Sequence, residues 1–85
     1  MSDERVAVGI DELWPEDTGE DEGVVVDWFE REGASVEAGD LLCVFQVVKV
    51  NVDVESPVAG VLDEIVKEED DVITREDTLA WIEPA

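Results

Sequence analysis

Residues 44–55 read VFQVVKVNVDVE, and they hold Lys49 among valines with no glycine, proline or serine beside it. It is one of two lysines in a chain with 25 acidic and five basic residues. A primary amine on a long unbranched stem can be acylated to a stable amide and can hold the attached group clear of the surface. Little else in the chain offers chemistry. There is no histidine for acid–base work, no activated serine or cysteine arrangement and no glycine-rich phosphate loop. Carboxylates are so numerous that no single pair stands out. Cys43 is the one cysteine, which excludes an intrachain disulfide and, with no histidine, a zinc site of the usual Cys/His kind. Flanked by Leu42 and Val44, it reads as a small core residue.

With 85 residues, 45% of them hydrophobic, the chain reads as one folded domain, 1–85, despite a formal net charge of −20. Self-repulsion at that charge destabilises a compact state in dilute salt. At about 1 M ionic strength the Debye length falls to about 3 Å and the repulsion largely disappears. The acidic residues are scattered, in DERV, EDTGEDEG, EREG, KEEDD and REDT, not massed at one end. That distribution predicts a surface adapted to salt, and so a protein of a high-salt organism's cytoplasm; a solvated acidic domain from an ordinary cell is the alternative. Nucleic acid is excluded as a partner, because phosphate contacts need clustered lysine and arginine. No basic-plus-apolar leader opens the chain, and no apolar run approaches the roughly 18 residues of a membrane span, so a soluble intracellular protein is expected.

The elements that must position Lys49 follow from an internal repeat. At a fixed offset of 37 residues, GVVVDWFERE (23–32) lies on GVLDEIVKEE (60–69). Gly23 meets Gly60, Val25 meets Leu62, Trp28 meets Ile65 and Phe29 meets Val66. The register then holds without a gap: Val36 on Ile73, Asp40 on Asp77, Leu42 on Leu79, Cys43 on Ala80, Phe45 on Ile82. Gly33 and Gly39 become Asp70 and Glu76, so the second copy loses the residues most tolerant of tight turns. Each copy reads as a strand (24–29; 61–66), a turn (31–34; 68–71), a brief extended piece and a second strand (41–46; 78–83). Valine-rich stretches with frequent turn signals, and VNVDVE alternating apolar with polar or acidic residues, predict an all-β barrel or sandwich whose halves pack about a pseudo-twofold axis. RVAVGI running into DELW predicts an N-terminal strand that completes one sheet, and PEDTGEDE (15–22) an exposed acidic loop.

Between the two copies, residues 47–59 must join a strand ending near Phe45 or Val47 to one covering 50–55. Propensity alone favours one long strand from 44 to 55 with Lys49 facing solvent, since Val48 and Lys49 are not the Asn-Gly or Asp-Gly of a tight hairpin. The repeat favours the other reading, a hairpin over about 45–55 with Lys49 at its tip, because the chain must turn around there.

Gly23 followed by Asp27 and Trp28, the spacing EG..V..GD.L from 32 to 42, a lysine seven residues after Leu42, and SPVAG at 56–60 together resemble the lipoyl/biotinyl attachment domain over nearly the whole chain. The resemblance implies a flattened barrel of two four-stranded antiparallel sheets, the hammerhead fold, with the modified lysine on a β-turn at one end and the termini at the other. By position the attachment residue is Lys49, with Val48 and Val50 as the flanking residues read by the modifying enzyme. The implied cofactor is lipoic acid in amide linkage, and the implied role is a monomeric carrier, not an enzyme, moving acyl groups and reducing equivalents within an oxoacid dehydrogenase complex. Its implied partners are a lipoate ligase or lipoyl transferase and the dehydrogenase, acyltransferase and dihydrolipoyl dehydrogenase components. A tethered arm raises the effective concentration of its cargo at successive active sites, so the carrier needs no catalytic residues.

The chain departs from the family around the lysine. Lipoyl domains usually carry Asp-Lys-Ala and biotin carriers Met-Lys-Met, whereas here it is Val48-Lys49-Val50. A biotin carrier domain of a carboxylase, and an unmodified interaction module, therefore stand as alternatives; VDW, VDVESPVAG and the loop before Gly23 favour the lipoyl reading. Lys67 falls on Glu30 in the repeat and reads as a surface residue. Trp28 is expected partly in the core, Trp81 at a semi-exposed position where a partner contact is possible, and Gly39 with Asp40 in a turn. Trp14 is left unassigned.

Overall fold

A computed structural model describes residues 4–85 of the chain. Eight strands make two four-stranded antiparallel sheets, ordered β1-β8-β6-β3 and β5-β4-β2-β7. The strands are β1 Val6–Gly9, β2 Glu22–Trp28, β3 Ser35–Val36, β4 Leu41–Val47, β5 Val50–Glu55, β6 Gly60–Ile65, β7 Val72–Thr74 and β8 Thr78–Pro84. The expected all-β barrel of two four-stranded sheets is thus the observed architecture. Residues paired in the repeat are buried together: Val25 and Leu62, Leu42 and Leu79, Cys43 and Ala80, and Phe45 and Ile82 are all fully inaccessible, and they form one core between the sheets.

The repeat is written into the hydrogen bonds. Phe29 N donates to Leu42 O and Val66 N to Leu79 O, each at 2.8 Å and 37 residues apart. Across the barrel, Gly33 N donates to Leu62 O at 2.7 Å while Asp70 N donates to Val25 O at 2.8 Å, so each half's turn is tied to the other half's first strand. The Asp40 carboxylate accepts from Glu37 N, and that of Asp77 from Thr74 N, both at 2.8 Å, closing the same turn twice. Even the irregularity in the second strand pair recurs, between Val25 and Asp27 and between Leu62 and Glu64.

Two glycines survive in both copies for a reason of space. A β carbon on Gly60 would lie 2.1 Å from the Glu83 carbonyl oxygen, and one on Gly23 would lie 2.8 Å from that of Gln46. The turn glycine has no such constraint. Gly33 has φ 93 with open space around it, and its counterpart Asp70 keeps the left-handed conformation at φ 74 without being glycine. Aspartate is among the residues that tolerate that region best, so the turn persists after the glycine has gone.

The N-terminal segment differs from expectation. β1 stops at Gly9, and DELW is no strand: Asp11–Leu13 is a single turn of 3-10 helix, followed by a second at Glu16–Thr18. Gly9 to Gly23 spans fourteen positions, where the equivalent path from Glu55 to Gly60 spans five, so the connection must fold on itself. Trp14 fixes it. Its indole is buried, stacks on Phe45 with ring centroids 5.6 Å apart, and donates from Nε1 to Glu20 O at 2.9 Å. The acidic loop at 15–22 is largely exposed as expected, except that its last residue, Glu22, already belongs to β2.

Candidate functional site

β4 and β5 form a hairpin in which Val47 pairs with Val50, leaving only Val48 and Lys49 in the turn. The continuous strand that propensity favoured is therefore broken at the lysine. Val48 has φ 57, and Lys49 is not among the residues of positive φ, which is the φ pattern of a type II′ turn, where glycine normally holds the first position. A β-branched residue is strained there. Val48 is nonetheless held by the ladder on either side of it, with Gln46 opposite Asn51 and Phe45 opposite Val52. At the tip of the hairpin, Val48 is 56% and Val50 40% exposed, on either side of Lys49.

The base of the hairpin is rigid. Val47 is fully buried, and Gly23 lies so close beneath it that a β carbon there would meet the Val47 methyl at 2.9 Å and the Trp14 ring at 3.4 Å. The long β1–β2 connection is clamped from its far side by Arg75, which reaches Asp11 Oδ1 at 2.7 Å and Glu16 Oε2 at 3.2 Å. Trp14, Gly23 and Arg75 support this end of the barrel, and of the three only Gly23 carried a signal in the repeat. A tryptophan at the head of a polar loop, and an arginine in an acidic chain, were the cues for the other two.

Lys49 itself is exposed and, among the described residues, has no carboxylate within ion-pair distance, unlike Arg5, Lys67 and Arg75. From the tip, β5 carries the chain six residues, about 20 Å, away from the lysine. Four residues beyond β5 the chain reaches Ala59, whose carbonyl accepts from Ala85 N at 3.0 Å. β1 begins beside Ile82 near the end of β8. The lysine turn therefore lies at one end, and the start of β1 and the end of β8 at the other, of a body measuring 41 × 20 × 20 Å. A primary amine on an exposed tip, free of local salt bridges and rigidly based, fits covalent attachment of a carboxylic acid cofactor through an amide.

The other residues singled out in the sequence lie elsewhere. Lys67 sits 3.9 Å from Asp77 and lends its carbonyl to Trp28 Nε1 at 2.7 Å, a structural role. Trp28 is half-buried against the core. Its backbone N–H donates to Glu69 Oε2 at 3.1 Å, as that of Ile65 does to Glu32 Oε2 at 2.8 Å, across an open groove on the pseudo-twofold axis. Trp81 is half-buried under the Arg5 guanidinium, 5.0 Å from its ring centroid. Gly39, at φ 93, and Asp40 make the expected turn. Cys43 is buried, and desolvation pushes its thiol up to about 12.

Known proteins share this architecture. The biotin/lipoyl attachment family model, described as biotin-requiring enzyme, matches residues 17–82. The chain belongs to this family. Among curated relatives, the dihydrolipoyllysine-residue succinyltransferase component of the 2-oxoglutarate dehydrogenase complex from Staphylococcus saprophyticus is 38% identical over 52 residues, 61% of this chain and 12% of the relative. The dihydrolipoyllysine-residue acetyltransferase component of the pyruvate dehydrogenase complex from Staphylococcus aureus is 36% identical over 62 residues, 73% of this chain and 14% of the relative. The chain thus spans about an eighth of the length of these relatives. The lipoyl domain of the 2-oxoglutarate dehydrogenase complex from Azotobacter vinelandii superposes with a TM-score of 0.68 at 26% identity, covering 95% of this chain and 98% of that one. Within the biotin/lipoyl attachment family, the chain is most similar to lipoyl domains of 2-oxoacid dehydrogenase complexes.

Proposed function

We propose that this domain is a lipoyl carrier, with lipoic acid joined by an amide to Lys49 Nζ, serving an oxoacid dehydrogenase complex. The observation that carries the reading is the position of Lys49 in a two-residue turn at the end of the barrel remote from the start of β1 and the end of β8. When bound, the group supplies a ring disulfide that accepts an acyl group together with a pair of electrons. The protein's own part is mechanical. Buried Val47 and the packing of Gly23 against Trp14 hold the base of the turn still, and with no salt bridge to Lys49 among the described residues its stem can swing. A firm base with a mobile arm confines the cargo to a small volume and raises its effective concentration at the active sites of the dehydrogenase, acyltransferase and dihydrolipoyl dehydrogenase components. The domain is then a substrate of its partners and has no catalytic residues.

Attachment requires a lipoate ligase or lipoyl transferase, and the exposed side chains of Val48 and Val50 are the first groups it would meet beside the amine. The names of the similar proteins support lipoyl over biotinyl. Intact-mass measurement of the protein from its native host decides, since lipoyl, biotin and no modification give distinct masses. A lipoyl adduct that disappears in Lys49→Arg is the expected result. An unmodified native protein would remove the carrier reading, a biotin mass would replace the cofactor, and an adduct surviving Lys49→Arg would move the site to Lys67.

A further inference from the structure

The barrel is two interlocked half-chains. Residues 4–47 hold β1 to β4 and residues 50–85 hold β5 to β8, and among the described residues one ladder forms within each half, β2 with β4 and β6 with β8. The other ladders, β1 with β8, β2 with β7, β3 with β6 and β4 with β5, all run from one half to the other. So do the ion pairs of Arg5 with Asp63 and of Arg75 with Asp11. A half by itself leaves its core face and most of its strand edges open, so it folds only against a complementary half. The link between the halves is two residues long, Val48 and Lys49, and it carries the strain of a β-branched residue at φ 57. The sequence across it, VFQVVKVNVDVE, has the composition of one extended strand. A short strained hinge whose sequence favours extension, between halves that complete each other, is what makes exchange between copies easy.

We propose that two copies of this chain exchange halves, residues 4–47 of each completing a barrel with residues 50–85 of the other, and that Lys49 thereby leaves its turn. Every ladder between halves is kept in the exchanged dimer, formed between copies, and only the two-residue turn is lost. Residues 44–55 become one strand, and Val48 takes the extended backbone that valine favours. Side chains alternate along a strand, so Val47 and Val54, buried in one core in the monomer, point to opposite faces once it is straight. The two barrels then lie on either side of that strand, with Lys49 between them. A modifying enzyme meets a lysine within a strand in place of one at a tip, and the attachment site is withdrawn. This withdrawal rests on the carrier reading; the exchange itself does not. Charge sets the conditions: two copies at a net charge of −20 each repel in dilute salt, and at about 1 M ionic strength that repulsion is largely screened.

The unmodified chain, refolded at high protein concentration in about 1 M potassium chloride and separated by size, should give a dimer beside the monomer. Phe45 and Val52 are cross-strand partners in the monomer. In a dimer refolded from an equal mixture of isotope-labelled and unlabelled chains, nuclear Overhauser contacts between these two residues should run from one copy to the other. Val48→Gly eases two turns for every dimer that separates, and should lower the dimer's association constant about thirtyfold. Deleting Val48 and Lys49 leaves nothing to turn the chain and should give dimer alone. Monomer alone from the parent, a deletion variant that stays folded and monomeric, a dimer whose Phe45–Val52 contacts remain within each copy, or a dimer indifferent to Val48→Gly would each overturn the proposal. Parent monomer and dimer are then treated separately with a lipoate ligase and weighed intact; the monomer should gain lipoyl and the dimer none. Equal modification of the two would overturn the withdrawal of Lys49. An exchanged dimer with neither species modified would keep the exchange and lose the carrier reading. A modified monomer that never exchanges would do the reverse.

Discussion

Val48 and Lys49 divide one turn unequally: the valine takes the left-handed conformation, at φ 57, and the lysine does not. A valine in that region carries a strain of about 1–3 kcal/mol. Val48→Gly should relieve it, less the extra entropy that glycine brings to the unfolded chain, for a net gain of about 1 kcal/mol. In a domain of this size that raises the melting temperature by about 4–8 °C. Asp70→Gly, at φ 74, should gain less, because aspartate tolerates the region better. Thermal melts of the two variants against the parent give the order.

Gly60→Ala should be costly for a different reason. Its β carbon would meet the backbone of Glu83, which cannot rotate away, so β6 and β8 must separate where Gly60 pairs with Pro84. Overpacking of this kind costs about 1–3 kcal/mol or more. Gly9→Ala, with nothing within 4 Å of the added carbon, is the control and should change the urea midpoint little.

The charge of −20 predicts salt-dependent stability. Only Arg5, Lys67 and Arg75 have carboxylate partners among the described residues, so most acidic groups are balanced by no cation nearby. Raising potassium chloride from about 0.05 to 1 M shortens the screening length to about 3 Å and should raise the melting temperature steadily. An unchanged melting temperature over that range would count against a salt-adapted surface.

Cys43 gives a test at high pH. Burial raises its thiol to about 12 in the folded protein, while the unfolded chain releases that proton near the ordinary thiol value, about 8.5. Above that value the unfolded state binds fewer protons, so stability falls with pH, by at most about 1.4 kcal/mol per unit, until the folded thiol also titrates. Urea unfolding at pH 8 and pH 10 should therefore show a loss that Cys43→Ala, which copies the buried Ala80 of the other half, removes. A thiol reagent should react with the parent at pH 8 only as it unfolds.

Much of the fold was legible in the sequence, because the repeat pairs core residue with core residue and its register needs no gap. The lysine turn was legible only through that repeat. Val48 has the composition of a strand, and only the demands of the two flanking ladders force it into the turn. The expectation for DELW fails for the opposite reason: Trp14 is a local anchor of a folded loop while Leu13 is exposed, and nothing in their spacing shows that Trp14 reaches Phe45. The strain at Asp70 was also hidden, since the turn expected at 68–71 does not show which residue must take a positive φ once the glycine is gone.

The pairing of Lys49's end with the end where β1 and β8 meet has a wider consequence. Under the internal symmetry, the turn from β4 to β5 and the gap between the end of β8 and the start of β1 are the same place in the two halves, one closed and the other open. The barrel therefore has a polarity, with the lysine turn at one pole and the open strand ends of β1 and β8 at the other, along a body 41 Å long.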